Sequence, residues 1–451
     1  MKHMNVVAAF AALLAAAMTS PAHAQATELE QLKAQLRALQ ARVEQLEQQQ
    51  KAQAQEQAPQ KAQMQAQAPG AKPESPPTAS RGEPESRVQW KGDLRYRNET
   101  IDQEFTADRR NRDRIRLRAG FEARVNDKLR VEMQATTDEP IGSNGDARSS
   151  NVTLSDANSR KRLDLDLAYA EWMPTPAWRA TFGKMRYPWE RPTGALFFDN
   201  DVNPEGIALG WRHSASGLFA NAFYTHLAER ASMADSTMSG AQVGWRGQVA
   251  RGARLTLAAA YFDHGAVRGY NAVQAPDIAN AFGNSTSTDP TLCRPGITAC
   301  IANDFNVAEV FGEVATQVVG RPLAVFVDFA HNSKADVAPA TASGSSLDTA
   351  YSAGFQYGRV SAVRSWEVGY LYQHIENDAL YGQWVDSDFG GGNTGSRGHV
   401  FRVGYGLGRN FRVNGAYFLN ETNMDVPAVV NGASIFDREY KRFQLDVNMS
   451  F

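Results

Sequence analysis

The last ten residues of the chain alternate between apolar and polar side chains without a break. Phe443, Leu445 and Val447 are apolar, polar residues flank each of them, and the alternation runs on to the terminal Phe451. A period of two predicts a β-strand with one apolar and one polar face. A soluble sheet with one buried face and a membrane barrel with an apolar outer face both fit this strand, so the rest of the chain must discriminate between them.

The same alternation recurs through most of the chain after residue 88. We predict sixteen strands, at 89–99, 112–125, 128–137, 163–173, 177–185, 205–213, 216–227, 238–249, 252–263, 305–317, 321–332, 348–360, 363–375, 396–408, 410–420 and 439–451. The middle strands alternate less cleanly, and residues 323–329 are nearly all apolar.

The connections between these strands alternate in length. The long ones are 100–111, 138–162, 186–204, 228–237, 264–304, 333–347, 376–395 and 421–438, and the short ones lie near 126–127, 174–176, 214–215, 250–251, 318–320, 361–362 and 409. Outer-membrane barrels have short periplasmic turns, long external loops and an even number of strands, whereas a soluble sandwich has no reason for this segregation. The sequence therefore predicts an all-β fold, a closed 16-stranded antiparallel transmembrane β-barrel over residues 87–451.

Tryptophan positions give a second indication of a barrel. Six of the eight tryptophans lie near predicted periplasmic strand ends, where an aromatic girdle is expected. They are Trp90, Trp172, Trp178, Trp211, Trp245 and Trp366. Trp172 breaks the parity of its strand, and we expect it to point into the barrel.

Three segments precede the predicted barrel. Residues 1–24 are typical of a signal peptide, because Lys2 precedes a short apolar stretch and residues 22–24 form a small-x-small cleavage pattern. A retained anchor is the alternative, although the stretch is too short to span a bilayer. Residues 51–86 are rich in Gln, Ala and Pro, which predicts a disordered linker.

Between them, residues 25–50 carry a heptad stripe. Apolar residues recur at alternating spacings of three and four, which is the seam of a short coiled coil. They are Leu29, Leu32, Leu36, Leu39, Val43 and Leu46. A solitary amphipathic helix is the alternative.

Secretion would place the two cysteines of the chain, Cys293 and Cys300, in an oxidising compartment. Their spacing suits a disulfide that closes a small loop within the longest external connection. The additional ligands that a zinc site needs do not accompany them.

Composition excludes several classes of protein. No apolar run reaches the roughly 18 residues of a spanning helix, and the net charge of −2 argues against nucleic acid as the main partner. The eight histidines show no spacing typical of a catalytic triad or a metal site, so we expect no enzyme, cofactor or metal. Of the 47 Lys and Arg residues, 36 are Arg, which suggests fixed contacts with anions or carboxylates.

The polar strand faces hold the candidate functional residues, because sixteen strands are wide enough to enclose water. The predicted inward arginines are Arg95, Arg97, Arg114, Arg116, Arg118, Arg124, Arg130, Arg402, Arg412 and Arg442. Closure makes the first three and last three strands neighbours, so these arginines are expected to form one basic wall. The alternative is that each arginine only neutralises a neighbouring acid.

The third long connection is rich in proline, aromatic and acidic residues, which is unusual for an exposed loop. We expect it to fold into the barrel and narrow it, setting Asp199, Asp201 and Glu205 opposite the arginines. Four further acids are predicted to face inward from the strands: Asp164, Asp166, Glu309 and Glu313.

Four segments of the chain carry a resemblance to a known family: Arg112-Asp-Arg-Ile-Arg-Leu-Arg-Ala-Gly-Phe-Glu-Ala-Arg-Val-Asn-Asp, Asn151-Val-Thr-Leu, Gly183-Lys-Met-Arg-Tyr-Pro and Asp199-Asn-Asp-Val-Asn-Pro-Glu-Gly. Over residues 85–451 the chain resembles the putative porin family of Gram-negative outer membranes. The resemblance implies a general diffusion channel, a trimer and no catalytic residues. The leading heptads are also similar to those of phosphate-selective porins, whose lumen is rich in lysine and arginine, whereas lysine is scarce here.

The leading hypothesis is a passive channel for small hydrophilic solutes or ions, embedded in outer-membrane lipid as a homotrimer. An anion- or phosphate-selective channel is one alternative. A structural tether is another, in which the coiled coil would contact the cell wall and the barrel would serve as its anchor.

Overall fold

A computed structural model describes residues 87–451, apart from 142–143, 272–280, 337–345 and 431. The predicted signal peptide, coiled coil and linker lie outside the described residues. Within the described part of the chain, no helix is long and apolar enough to cross a membrane.

Sixteen antiparallel strands close into a ring within the described residues, which confirms the predicted barrel, and the two-residue strand Val152–Thr153 adds to the same sheet beside Arg114 and Ile115. They are β1 (Val88–Gln103), β2 (Arg110–Asn126), β3 (Leu129–Asp138), β4 (Arg162–Thr175), β5 (Trp178–Lys184), β6 (Glu205–His213), β7 (Leu218–Ala228), β8 (Ser236–Ala250), β9 (Ala253–Gly265), β10 (Phe305–Val318), β11 (Arg321–Asn332), β12 (Thr349–Gly358), β13 (Trp366–Ile375), β14 (Ser396–Gly408), β15 (Phe411–Thr422) and β16 (Arg438–Ser450). Each strand pairs with the next in sequence, and β16 pairs with β1. All sixteen predicted strands are present, with small differences at their ends.

The ring closes between the two ends of the described chain. β1 and β16 pair from Asp93 opposite Ser450 to Gln103 opposite Tyr440. The terminal Phe451 extends the pairing, since its backbone N–H and C=O each bond Gly92 at 3.0 Å. A side chain at Gly92 would meet the Phe451 ring at 2.4 Å, so glycine is needed at this point of the seam.

The connections differ in length at the two ends of the barrel, as the sequence predicts. One end has short turns such as 127–128, 251–252 and 319–320, and the other has the long loops. The turn 359–365 is longer than the predicted one, and the Ser365 hydroxyl accepts the backbone N–H groups of Ser361 and Ala362 within it. The third and seventh long loops, L3 (185–204) and L7 (376–395), contact the inner faces of strands.

The outward strand face is apolar, with Val243 and Val327 each 61% exposed. The inward face is mixed: arginines line β1 and β2, whereas apolar side chains line much of β7 to β13. These inward apolar residues pack against L3 and L7; Trp189 of L3, for example, stacks on Phe223 of β7 with ring centroids 4.6 Å apart. Such packing explains why the middle strands alternate poorly in sequence, since Phe326 of β11 is also buried inside.

The expectation that Trp172 points inward is wrong. The β3–β4 pairing shifts register, because Ala135 lies opposite Leu165 whereas the preceding Gln134 lies opposite Leu167. The extra residue in β4 switches the parity of the strand, as a β-bulge does. Leu167 is therefore fully buried on the inner face, and Trp172 is 48% exposed on the outer face.

An arginine in place of Val327 tests whether the outward face meets lipid. Val327 lies at the middle of β11, so Val327→Arg should lower the free energy of unfolding from lipid vesicles by about 2–4 kcal/mol. Denaturant titration of the refolded protein measures this difference. Val319→Arg is the matched control, because Val319 is 90% exposed in a turn and should tolerate the charge; equal losses in both variants would contradict a lipid-facing β11.

Candidate functional site

Arginines of β1 and β2 face one another across the inner wall of the barrel. Arg95 lies opposite Arg116, and Arg97 lies opposite Arg114. Like charges directly opposite each other on a sheet repel, so this arrangement needs acidic partners.

The deepest of these partners come from the strands themselves. Arg97 donates Nε and Nη2 to the two carboxylate oxygens of Asp446, at 2.7 and 2.8 Å, and is only 5% exposed. Glu99, which has no exposed surface, accepts hydrogen bonds from both Arg112 and Arg442. Buried bidentate pairs of this kind hold both side chains in one geometry.

L7 adds a second layer of carboxylates to the same wall. Asp388 lies 3.2 Å from Arg97 and 2.7 Å from Arg442. Burial alone would raise the pKa of Asp388, but Arg442 and Arg97 outweigh it and hold that pKa well below its ordinary value. Asp388 is therefore an anion that ties L7 to β1 and β16.

L3 contacts strands on several sides of the barrel. The Thr193 N–H donates to Glu313 of β10 at 2.6 Å, and Arg402 of β14 donates to the Gly194 carbonyl at 3.0 Å. Near the C-terminal end of L3, Asp201 accepts a hydrogen bond from Arg118 of β2 at 2.7 Å. Burial opposes ionisation of Asp201, but Arg118 and Arg116 hold its pKa below the ordinary value.

Another carboxylate of L3, Asp199, forms no ion pair with any residue that the structure describes. Asp199 accepts the backbone N–H groups of Asp201 and Ser387, at 2.8 and 2.7 Å. Burial and the nearby Asp386 raise its pKa well above the usual range. Burial and Asp388 likewise raise the pKa of Asp386 to about 6. The junction of L3 and L7 thus holds acids whose pKa values are shifted in opposite directions: those of Asp199 and Asp386 are raised, and those of Asp201 and Asp388 are lowered.

The other predicted inward arginines have varied surroundings. Arg116 bonds Asp93 at 2.6 Å, Arg114 lies 3.1 Å from Glu139, and Arg130 lies between Glu122 and Glu171. Arg412 is exposed, and neither it nor Arg124 has an ion-pair partner within the described part of the chain. Acids therefore neutralise the arginines in the middle of β1 and β2. Arg124 and Arg412, nearer the short turns, keep their charge without an ion pair within the described residues.

Glu205 does not face the inward arginines. It begins β6 on the same face as Ile207 and Leu209, which are 53% and 46% exposed on the outside of the barrel. Its carboxylate bonds Lys184 of the neighbouring β5 at 2.7 Å. The expectation that Glu205 faces the arginines is wrong, because the chain has already entered β6 there and strand parity turns the side chain outward.

Several residues of the site were not predicted from the sequence. They are Glu99, Arg112, Asp386, Asp388 and Asp446. Glu99 and Asp446 share the parity of the predicted arginines, so that signal was present in the alternation. The L7 acids precede a run of glycines and carry no periodic signal, so only the fold relates them to β1 and β16.

Cavities lie along this wall at both ends of the barrel. One of about 710 Å³ opens among the long loops and is lined by Arg112, Arg438 and Arg442. Two others, of about 670 and 440 Å³, lie toward the short turns, and Arg412 lines both. The buried residues Arg97, Glu99 and Asp446 lie between the strand positions that line the outer cavity and those that line the 440 Å³ inner cavity.

The cysteines lie in the fifth long loop, 266–304. The sulfur atoms of Cys293 and Cys300 are 2.15 Å apart, in a disulfide. Residues 272–280 of this loop lie outside the described residues.

Comparison with known proteins places this barrel in a family. The sequence model of the family described as putative porin matches residues 92–357 and 323–449. The chain belongs to the putative porin family. The family description points to a porin-type channel rather than an enzyme.

Several solved structures are similar to this porin. OprB of Pseudomonas putida, in its high-pH structure, is 10% identical with a TM-score of 0.51, over 81% of this chain and 94% of that one. OmpF of Salmonella typhi in complex with daunomycin is 11% identical with a TM-score of 0.46, over 81% and 97%. OmpT of Vibrio cholerae in its trimer form is 13% identical with a TM-score of 0.42, over 81% and 99%. No curated protein matches the sequence.

Neutralising Asp386 should stabilise the porin at neutral pH. The pKa of Asp386, at about 6, exceeds the unfolded value of about 4, so this group lowers stability as pH rises between those values. Asp386→Asn should therefore raise the thermal unfolding midpoint by a few degrees at pH 7.5 and leave it nearly unchanged at pH 4.

Asp388→Asn is the opposing control for that experiment. Its depressed pKa means that the ionised form stabilises the fold at neutral pH and that this contribution is lost in acid. The variant should lower the midpoint at pH 7.5. A midpoint that falls equally in both variants would contradict the assignment of charge at L7.

Proposed function

We propose that this porin is a passive diffusion channel for small hydrophilic solutes or ions, with an arginine-lined lumen that L3 narrows from within. The observation that carries the proposal is the set of L3 contacts to Arg118 of β2, Glu313 of β10 and Arg402 of β14. A loop that stayed outside the barrel would not contact inward side chains on strands this far apart in the ring.

L7 contributes to the same constriction. Its Asp388 stands between Arg97 and Arg442, beside the buried residues that separate the outer cavity from the inner cavity of about 440 Å³. Opposed rows of fixed charge in a narrow aqueous passage orient polar solutes and select ions by sign. Solutes would thus cross the barrel beside the basic wall, while the apolar side packed by L3 stays closed to water.

The inner cavities favour anions. The cavity of about 670 Å³ is lined by Arg254, Arg359 and Arg412 and by one acid, Glu367. The three arginines have no acidic partner within the described ranges, whereas Glu367 accepts the Val360 N–H at 3.1 Å. A small preference for anions follows from this excess of positive charge. Strong phosphate selectivity is not favoured, because most inward arginines are already paired with carboxylates.

Two wider expectations accompany the channel. A homotrimer follows from the family resemblance and is tested by chemical cross-linking in native outer membranes.

The tether hypothesis depends on residues 25–50, and deletion of 25–86 separates the two functions. A channel should still conduct after the deletion, whereas a tether should lose its attachment to the cell wall.

Removing the two central arginines of β2 tests the constriction. Arg116→Ala with Arg118→Ala releases Asp93 and leaves Asp201 of L3 without its ion pair. Single-channel conductance in planar bilayers should rise, and ion preference should shift toward cations because two positive charges are lost. Unchanged conductance and unchanged ion preference would contradict a constriction at this position.

Arg412 tests the proposed ion preference separately. Arg412→Gln removes an exposed charge from both inner cavities without breaking an observed ion pair. The reversal potential under a salt gradient should shift toward the value expected for a more cation-selective channel, while the single-channel conductance changes little. Arg251→Gln, in the exposed turn 251–252, is the matched control and should shift the reversal potential less than Arg412→Gln; equal shifts would assign the preference to general surface charge.

A further inference from the structure

The turn between β12 and β13 does not continue the hairpin that these strands form. They pair as far as Gly358 opposite Glu367, and residues 359–365 connect them. The other turns at this end of the barrel have two residues each, apart from 214–217 with four. Regular pairing would use only two of the connecting residues as a loop. The chain instead leaves the ladder at Gly358, whose φ of +83° lies in the left-handed region that glycine adopts readily.

The turn lies against the inner wall of β14. Gly404 and Gly406 share the inward face of that strand with Arg402, because side chains two positions apart point the same way. A Cβ atom at Gly404 would lie 3.1 Å from Val360 Cγ2, and one at Gly406 would lie 2.1 Å from the Ala362 carbonyl oxygen. A side chain at Gly406 would therefore displace the turn, so the sequence of β14 is adapted to it.

Hydrogen bonds hold the turn in this position. The Ser365 hydroxyl accepts the backbone N–H groups of Ser361 and Ala362, both at 2.9 Å. The Val360 N–H donates to the Glu367 carboxylate at 3.1 Å. Three consecutive N–H groups of the turn thus have side-chain acceptors at the start of β13 or directly before it. The turn is a fixed part of the inner wall.

The turn borders both cavities at this end of the barrel. Val360 lines the cavity of about 670 Å³ and, together with Ser361 and Ala362, the cavity of about 440 Å³. Asp93 of β1 and Arg116 of β2 line the smaller cavity as well. The space near the short turns is therefore bounded by the turn 359–365 on one side and by the basic wall on the other.

L3 narrows the barrel at a different depth. On β14 it contacts Arg402, whereas the turn 359–365 covers Gly404 and Gly406. β14 continues from these glycines to the short turn 409–410. The turn 359–365 therefore lies nearer the short-turn end than the L3 contact, and a solute that crosses the barrel meets the two in sequence.

We propose that the turn 359–365 forms a second constriction, in series with that of L3, and limits the size of the solutes that cross the barrel. The inference rests on the proposed channel function. Narrow segments in series add their resistances, so each of them reduces the flux of a solute that barely fits. Small side chains, Ser361 and Ala362, face the smaller cavity from the turn. This constriction thus selects by size.

Modification of a cysteine placed at Ser361 tests the proposal with little effect on the fold. Ser361 is exposed, and the native cysteines are joined in a disulfide, so Ser361→Cys supplies one accessible thiol. A neutral polyethylene glycol maleimide should lower the single-channel conductance in planar bilayers by about half or more, because it fills the narrow segment. Conductance that is the same before and after complete modification would overturn the proposal.

Val319→Cys is the matched control for this labelling. Val319 is 90% exposed in the two-residue turn 319–320 at the same end of the barrel. Its modification should leave the conductance unchanged. An equal fall in both variants would assign the block to the reagent at the mouth and would also overturn the proposal.

A shortened turn should have the opposite effect. Replacing residues 360–365 by Asn-Gly joins the strands through a two-residue loop of the kind that hairpins favour. In liposome swelling, the uptake of raffinose relative to arabinose should rise by about threefold or more, because the larger sugar gains most from a wider passage. Arg359→Gln keeps the turn and is the matched control, so its ratio for these uncharged sugars should equal that of the wild type.

The sugar assay separates this inference from the channel function on which it rests. Wild-type liposomes that admit no arabinose would contradict the channel itself. Wild-type liposomes that admit arabinose, together with a shortened-turn variant of unchanged sugar ratio, would contradict only the second constriction.

Discussion

Hydrogen bonding between β1 and β16 is the constraint on which the rest of the structure depends. An open sheet edge would expose unpaired backbone groups, and hydrocarbon offers them no partner, so a membrane sheet must close. Here the seam continues to Phe451, whose backbone bonds Gly92 on the first strand. Closure also brings Arg442 of the last strand beside Glu99 of the first. The basic wall thus exists as one surface only because the ring is complete.

The interior of the barrel divides into two unlike halves. On one side, L3 and L7 pack apolar side chains against β7 to β13 and form a core such as soluble proteins have. On the other side, arginines of β1, β2 and β16 meet carboxylates from the strands and from both loops. Buried ion pairs need excellent geometry to offset desolvation, and the bidentate Arg97–Asp446 pair meets that requirement. Cavities lie beside the charged half, and we propose that solutes cross the barrel there.

Much of the fold follows from sequence because lipid outside and water inside impose a period of two on every strand. Three features escaped that reasoning, each for a physical reason. The bulge beside Leu167 reverses parity, so Trp172 was assigned to the wrong face. Phe326 blurs the alternation because a loop, not water, covers it. Asp388 lies in a loop without periodicity, and its partners are distant in sequence, so only the closed ring relates them.

The most direct test of the account is the current through planar bilayers after addition of the purified, folded wild-type barrel. An aqueous lumen beside the arginine wall predicts discrete current steps that scale with salt concentration and need no energy source. If no current flows although the folded barrel has inserted into the bilayer, the barrel is closed and the channel function is contradicted.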